Sequence, residues 1–200
     1  SFIDAISIYG FFRRKFSGLS GTCGPPNKIK IFGFLFFNFS AIFLSRSSNN
    51  PKFASSAQAV GKYVRYESSL PNFLSELAII TTGRCWSSNF EWEQHAPLAE
   101  KAGINIKYIN AIARAERPKF IKNIEQVIFD FAAEANLTKK VSDKVYSDAI
   151  NLIGKTSVID LVAICGYYNL ISMTLNVFKV PPEGRKWILP HIEDFSKMLP

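Results

Sequence analysis

The sequence predicts an all-α protein, because three patterns along the chain agree. Apolar residues recur at helical spacing from Ala54 to Phe178. Proline, glycine, serine and threonine stand where the predicted helices begin or end. No candidate strand is bounded by hairpin turns. We therefore expect about six to eight helices and no sheet.

The first three predicted helices are Ala54–Glu67, Asn72–Thr82 and Ser87–Lys101. The first has apolar side chains at helical spacing, namely Ala57, Val60, Tyr63 and Val64. Pro71 suits the first turn of the second helix, where a missing N–H costs nothing. The third helix ends before Gly103, a residue suited to a left-handed cap.

The next two predicted helices are Ile106–Ala115 and Pro118–Ala135. Pro118 is expected to open the second of these helices, again because a proline is tolerated in a first turn. Its expected core-facing stripe consists of Ile121, Ile124, Ile128 and Phe131.

The last two predicted helices are Asp143–Ile153 and Ser157–Phe178, with Gly154 between them. Ser142 and Thr156 are their expected N-caps. The second helix is apolar on nearly every face, and such a helix must be buried on every face. Since a small domain rarely surrounds a helix of this length, we expect it to line a subunit interface as well as the core.

A break in composition near residue 50 divides the chain. Residues 1–50 hold six Lys and Arg against one acid, and ten of the 18 phenylalanines. We expect three segments: a basic, Phe-rich extension (1–50) outside the fold, a helical domain (51–183) and a C-terminal tail (184–200).

The apolar segment Ile29–Leu44 leaves three interpretations open: a membrane or signal-type anchor, an arm packed on the domain or a neighbouring subunit, or translated non-coding sequence. It is short for a membrane span and contains Lys30 and Asn38, so a membrane partner is not favoured. The Arg-containing, acid-poor start weakly resembles a transit peptide, which leaves a mitochondrial location open beside the cytoplasmic one.

Charge and rare residues exclude several function classes. The net charge of +8 comes mostly from the N-terminus, since residues after 50 hold 18 Lys and Arg against 15 acids, so no nucleic-acid partner is expected. Three cysteines without a CxxC motif exclude a disulfide framework and fit a reducing compartment. The chain has only two histidines, His95 and His191, which excludes a multi-histidine site.

The most informative polar pattern lies on the third predicted helix. Ser88, Glu91 and His95 stand at i, i+3 and i+7 and therefore share one helix face. A carboxylate one turn from an imidazole can share a proton with it, as acid–base catalysis requires. Spacing equally allows a solvated helix face. It also leaves open whether Glu76 faces this stripe or only edges its own helix.

Neighbouring residues complete the candidate list. Trp86, Phe90 and Trp92 could form an apolar pocket wall around the polar stripe. Cys165 lies among apolar neighbours and is interpreted as structural. A metal would need Glu76, Glu91 and His95 together, and no metal is expected.

The stretch KYVRYESSLPNFLSELAIITTGRCWSSNFEWEQHAPLAEKAGI, Lys62–Ile104, resembles the carboxymuconolactone decarboxylase family of the alkylhydroperoxidase D-like superfamily. The similarity lies in SELAII, FEWEQH and PLAEKAGI, and continues through GYYNLISMTLNVF to about Glu183. It implies an all-α fold that assembles as trimers or hexamers, with sites near subunit interfaces.

Redox-active members of that superfamily carry a glutamate, a CxxC pair and a histidine. By the resemblance, their glutamate and histidine fall on Glu76 and His95, but their cysteines fall on Ser88 and Glu91. Cys85 lies one helical turn out of register. The resemblance therefore points to the non-redox, decarboxylase-like branch.

That branch implies cofactor-independent decarboxylation of a small carboxylated lactone from aromatic catabolism. The implied catalytic residues are His95, Glu91 and Glu76. Arg84, one turn before Ser88, is a candidate cation for the substrate carboxylate, and a plain surface arginine is the alternative interpretation. The other candidate substrate contacts are Ser88, Trp86 and Trp92. The alternatives are a thiol peroxidase, which the missing CxxC disfavours, and a non-catalytic oligomeric binding protein.

Overall fold

The computed structural model describes residues 50–182, 184 and 188–200. Among these residues it contains six α-helices and no strand: α1 (Pro51–Tyr66), α2 (Asn72–Cys85), α3 (Asn89–Ala102), α4 (Ile106–Ala113), α5 (Asn123–Leu137) and α6 (Asp143–Val177). A short 3-10 helix, Ser196–Met198, follows. The predicted all-α fold is thus confirmed, while the expectations for Ile29–Leu44 fall outside the described residues.

Helix α2 is the centre of the compact unit formed by Ser55–Pro200. It packs against α3, α4, α5 and α6. Every residue from Leu74 to Arg84 is buried, so polar side chains in this helix must find partners inside the protein. Thr81 does so locally, since its hydroxyl donates to the Leu77 carbonyl oxygen at 2.7 Å.

The start of α5 differs from the prediction. The helix begins at Asn123, not at Pro118, because tertiary hydrogen bonds hold the preceding residues outside a helix. The Arg117 N–H donates to the carbonyl of Lys197 at 2.9 Å, and the Ile121 N–H donates to the Tyr108 hydroxyl at 3.1 Å. Ile121 is consequently 89% exposed, and its expected place in the core-facing stripe is wrong.

Helix α6 joins the last two predicted helices end to end. The break expected at Gly154 is present as a kink, with φ 77° and ψ 164° at that residue. Beyond the kink, buried Asp160 accepts hydrogen bonds from the Tyr63 hydroxyl at 2.8 Å and from both the N–H and the hydroxyl of Ser69 at 2.7 Å. These bonds attach α1 and the turn after it to α6.

One face of α6 has no covering among the described residues. It carries Ile159, Val162, Met173 and Val177, which are 46–69% exposed. In the part of the chain that the structure describes, α6 alone is long and apolar enough to cross a membrane by length and composition. The most apolar 18-residue stretch of α6 is 56% buried by the rest of the protein. Core helices of globular proteins can be equally long and apolar, so this feature is weak evidence for a membrane span.

The C-terminal residues 188–200 lie against the helices. Leu189 and Met198 are buried, and the Leu189 N–H donates to the side-chain oxygen of Asn89 at 3.0 Å. The segment expected as a tail therefore covers part of the helical surface, including the end of α2.

Candidate functional site

Helices α2 and α3 each contribute acidic side chains to the same buried region. Glu76 lies in the second turn of α2 and is 4% exposed, and Glu91 lies in the first turn of α3 and is 1% exposed. The two helices pack against each other at Gly83, where a Cβ would stand 3.4 Å from the Glu91 Cβ, an ordinary van der Waals contact. The backbone of α3 thus approaches α2 closely beside the buried carboxyl groups.

His95 lies between the two carboxyl groups. Its Nδ1 is 2.8 Å from Glu76 Oε2, and its Nε2 is 3.6 Å from Glu91 Oε2. The i, i+4 approach of Glu91 and His95 that spacing predicts is therefore present, and Glu76 joins them across the helix–helix contact. We call these three residues the Glu–His–Glu cluster.

The two carboxyl groups have different surroundings. Glu76 Oε2 forms a hydrogen bond with His95 Nδ1, whereas neither oxygen of Glu91 has a hydrogen-bond partner among the described residues. Burial raises the pKa of Glu91 to about 7, although the nearby positive charges of His95 and Arg65 oppose that rise. Glu91 is thus poised to hold or release a proton near neutral pH.

The hydrogen bond to Glu76 also fixes the imidazole. When Nδ1 carries the proton that the Glu76 carboxylate accepts, Nε2 of the neutral ring has its lone pair toward Glu91. A protonated Glu91 can then pass its proton to Nε2, and a Glu91 carboxylate can receive one from the doubly protonated ring. The cluster can therefore move a proton along Glu91 and His95 while Glu76 stabilises the charged ring.

Helix α6 supplies a tyrosine that sequence reasoning missed. The Tyr168 ring packs edge-on against the His95 ring, with centroids 5.0 Å apart, and Tyr167 packs edge-on against Tyr168 at 5.4 Å. The buried Tyr168 hydroxyl has no hydrogen-bond partner among residues 50–200 as far as they are described. The two adjacent tyrosines in GYYNL could have indicated this contact with His95. They were interpreted as core residues because they lie in an apolar helix.

The other expected substrate contacts do not all lie beside the Glu–His–Glu cluster. Ser88 directly precedes α3, on the helix face that carries the cluster, and it is fully buried. Its hydroxyl does not cap the helix and has no hydrogen-bond partner among the described residues. Trp92 is 2% exposed and belongs to the core. Trp86 is half-buried, and its indole N–H donates to the side-chain oxygen of Asn169.

Arg84 contacts the C-terminal segment. Its guanidinium donates to the Pro190 carbonyl oxygen at 3.2 Å and lies 5.1 Å from the centre of the Phe195 ring. Burial lowers the pKa of Arg84, as expected for a cation held away from water. Arg84 thus lies under residues 188–200. Its guanidinium contacts there do not include any member of the Glu–His–Glu cluster.

The two cysteine thiols in the described part of the chain, Cys85 and Cys165, favour the protonated form at neutral pH. Burial raises the pKa of Cys85 to about 12 and that of Cys165 to about 11. Neither group therefore presents the thiolate that peroxide reduction requires. Among the described residues, no group of three or more His, Cys, Asp or Glu side chains is arranged to hold a metal ion.

Two surface cavities lie on the side of the protein formed by α5 and the start of α6. Their volumes are about 260 and 520 Å³, and both are bordered by Glu134, Ser142 and Pro200. Neither is lined by a member of the Glu–His–Glu cluster. Neither of these two cavities therefore opens onto the cluster.

Comparison with protein-family models, with curated proteins and with solved structures gives no significant match for this chain.

Proposed function

We propose that the protein is a cofactor-independent decarboxylase that acts on a small carboxylated lactone, as the resemblance to the carboxymuconolactone decarboxylase family implies. The observation that carries this proposal is the placement of His95 between two buried carboxyl groups, one of which titrates near pH 7. Such a group matches general acid catalysis at neutral pH.

Decarboxylation breaks one carbon–carbon bond and releases CO₂. The electron pair of that bond stays on the substrate, where the unsaturated lactone delocalises it, and a proton must then reach the carbon. In our proposal Glu91 donates this proton and becomes a carboxylate. A proton from solvent then binds Nε2 of His95, Glu76 stabilises the resulting imidazolium at Nδ1, and the imidazolium passes the proton from Nε2 to the Glu91 carboxylate, which restores the neutral ring.

The proposal is tested by incubating the purified full-length chain with 4-carboxymuconolactone and measuring CO₂ release by mass spectrometry. We expect turnover without any added metal or cofactor. An enzyme that instead consumes hydrogen peroxide in the presence of a thiol reductant would contradict the proposal. If the lactone binds and no CO₂ appears, the protein is a binding protein of this fold.

We also propose that the chain assembles with copies of itself. The supporting observation is the exposed apolar face of α6, formed by Ile159, Val162, Met173 and Val177. An apolar helix face of this length is typical of an interface. By the resemblance, the assembly is a trimer or a hexamer.

A further inference from the structure

Residues 190–196, which we call the cover, form a mostly exposed loop over the end of α2. The chain is anchored just before the cover, where the Leu189 N–H donates to the Asn89 side-chain oxygen at 3.0 Å. It is anchored again just after the cover, where the Lys197 carbonyl oxygen accepts the Arg117 N–H at 2.9 Å. An outward movement of the cover therefore leaves both anchors intact.

Arg84 lies beneath the cover with its side chain fully buried. Its Nη1 donates to the Pro190 carbonyl oxygen at 3.2 Å, and its guanidinium carbon lies 5.1 Å from the centre of the Phe195 ring. Its Nε and Nη2 have no hydrogen-bond partner among the described residues. Burying a cation with two free donors is costly, because nothing replaces the water that solvates them in the unfolded chain.

The free edge of Arg84 is the edge by which another arginine of this protein holds a carboxylate. Arg117 donates from the same two nitrogens, Nε and Nη2, to the two carboxylate oxygens of Asp130, at 2.7 Å each. This bidentate geometry is typical of arginine–carboxylate pairs, which are among the strongest hydrogen-bonded pairs in proteins. Arg84 presents the same edge, and no described residue pairs with it.

The start of α3 adds polar groups at the same place. Leu189 and Pro190 are consecutive residues that bond to Asn89, the first residue of α3, and to Arg84, so the guanidinium lies near this helix end. Ser88, directly before the helix, is fully buried, and its hydroxyl has no partner in the described part of the chain. A helix N-terminus favours an anion through its free N–H groups and its dipole.

The side of the Glu–His–Glu cluster toward α1 is closed by packing. A Cβ at Gly61 would overlap the hydroxyl and the ring of Tyr167, so the backbone of α1 lies directly on that side chain. Tyr167 contacts Tyr168, and Tyr168 contacts His95. The hydrogen bonds to Asp160 hold α1 in this position. A ligand therefore meets less resistance at the cover, which a hydrogen bond and a ring contact tie to α2.

We propose that Arg84 and Ser88 form a binding site for a small carboxylate, and that the cover opens to admit it. The carboxylate accepts hydrogen bonds from Nε and Nη2 of Arg84, which the closed cover seals from solvent. One guanidinium and one neutral hydroxyl balance a single negative charge, so a carboxylate fits better than a phosphate dianion.

This site adjoins the Glu–His–Glu cluster, because Ser88 and Glu91 stand one helical turn apart on the same face of α3. The carboxylate site itself is independent of the proposed function. Only the idea that the bound carboxylate belongs to a substrate rests on the decarboxylase proposal.

The test is calorimetric titration of the full chain with acetate and with acetamide, an uncharged probe of nearly the same shape. Arg84→Met keeps an apolar stem and removes the charge. Arg114→Met is the matched control, because Arg114 pairs with Glu116 on the surface. We expect Arg84→Met to weaken acetate binding by roughly 10- to 100-fold, as for the loss of charge-assisted hydrogen bonds. Arg114→Met should bind acetate like the wild type, and acetamide should bind weakly to all three proteins.

Opening of the cover is tested separately. Phe195→Ala removes the ring contact with Arg84 and should strengthen acetate binding by roughly two- to five-fold, because a closed cover lowers the apparent affinity. Ile188→Ala, an apolar change outside the cover at a residue that is 56% exposed, should leave acetate binding unchanged. Hydrogen–deuterium exchange of residues 191–196 should become faster when acetate is added.

Acetate binding that is unchanged in Arg84→Met, or absent from the wild type at millimolar concentration, would overturn the site. Binding without faster exchange in the cover would overturn its opening, and equally tight binding of inorganic phosphate would contradict a carboxylate site. Thermal melting checks the fold of Arg84→Met. If that variant is unfolded, Arg84→Lys tests the same loss, since it keeps the charge without the bidentate edge. Acetate binding without lactone decarboxylation would retain the site and remove only the proposed function.

Discussion

At the scale of single residues, hydrogen bonding distinguishes Glu76 from Glu91, although both are buried beside His95. Glu76 forms the short hydrogen bond at 2.8 Å, while Glu91 stands 3.6 Å away with both oxygens otherwise unpartnered. Burial without a hydrogen-bond partner favours the neutral form of the Glu91 carboxyl group and raises its pKa. Glu91 can thus act as a proton donor, while Glu76 holds the His95 ring in place by its hydrogen bond.

His95→Ala and His95→Gln should each lower lactone decarboxylation by about 10²–10⁴-fold, because neither side chain can transfer a proton. His95→Gln retains a hydrogen-bonding group for Glu76 and so tests the chemistry with less disturbance of the fold. His191→Gln is the control, since His191 is 88% exposed in its side chain. Steady-state kinetics and thermal melting are the measurements. Full activity in His95→Gln would contradict the acid–base role.

Glu91 should make stability depend on pH in a defined direction. Its pKa is about 7 in the folded protein against 4.5 for an ordinary glutamate, so the folded state binds its proton more tightly. Its contribution to the free energy of unfolding is complete below pH 4.5 and is lost as the pH rises to about 7. At about 1.4 kcal/mol per pKa unit, the loss is roughly 3 kcal/mol.

Glu91→Gln lacks this titration. As the pH rises from 5 to 8, we expect the variant to gain stability relative to the wild type by about 3 kcal/mol at most, measured by urea unfolding at both pH values. Glu100→Gln, an exposed change on the same helix, should show no such gain. Parallel pH profiles of wild type and Glu91→Gln would contradict the raised pKa.

At the scale of helices, the sequence predicts what depends on local spacing and misses what depends on distant partners. The helical spacing of Glu91 and His95 was sufficient to predict their approach. Spacing could not place Glu76, because its contact with His95 crosses two helices; only the resemblance suggested it. The start of α5 was missed because Lys197, far along the chain, accepts the Arg117 N–H. The C-terminal contacts of Arg84 were missed for the same reason.

The kink in α6 gives a prediction at this scale. Gly154 has φ 77° and ψ 164°, a region that is essentially restricted to glycine, and its missing Cβ would meet nothing within 4 Å. Gly154→Ala should therefore lower the free energy of unfolding through backbone strain alone, by about 1–3 kcal/mol.

Gly166→Ala is the matched comparison, because Gly166 lies in the same helix and its Cβ position is also open. It should stabilise the protein by about 0.5–1 kcal/mol, as alanine favours a helix interior. Chemical denaturation of both variants measures the difference. Equal effects of the two substitutions would show that the kink does not require glycine.

At the scale of the whole molecule, the proposed self-association depends on the outer face of α6. Val162→Lys places a charge in the middle of its exposed apolar residues and should shift the protein toward the monomer. Asn151→Lys adds the same charge to an exposed position before the kink and should leave association unchanged. Light scattering at micromolar concentration measures the mass. A wild-type monomer would contradict the proposal.

A chain shortened to begin at Pro51 should fold. Helices α2 to α6 and all but the first four residues of α1 lie in the unit Ser55–Pro200, and α1 is attached to α6 through the Tyr63–Asp160 hydrogen bond. Far-UV circular dichroism and thermal melting of the shortened chain test this expectation. If it stays unfolded while the full chain is folded, residues 1–50 pack on the domain as an arm.

The contact between Gly61 and Tyr167 also has a consequence for how such sequences can diverge. A side chain at position 61 is excluded only while a tyrosine occupies position 167, since the overlap involves the phenol ring and its hydroxyl. A relative with a smaller residue at 167 has room for a larger one at 61. The two positions should therefore covary, with glycine and tyrosine inherited together wherever a helix covers the ring that packs on the histidine's tyrosine neighbour.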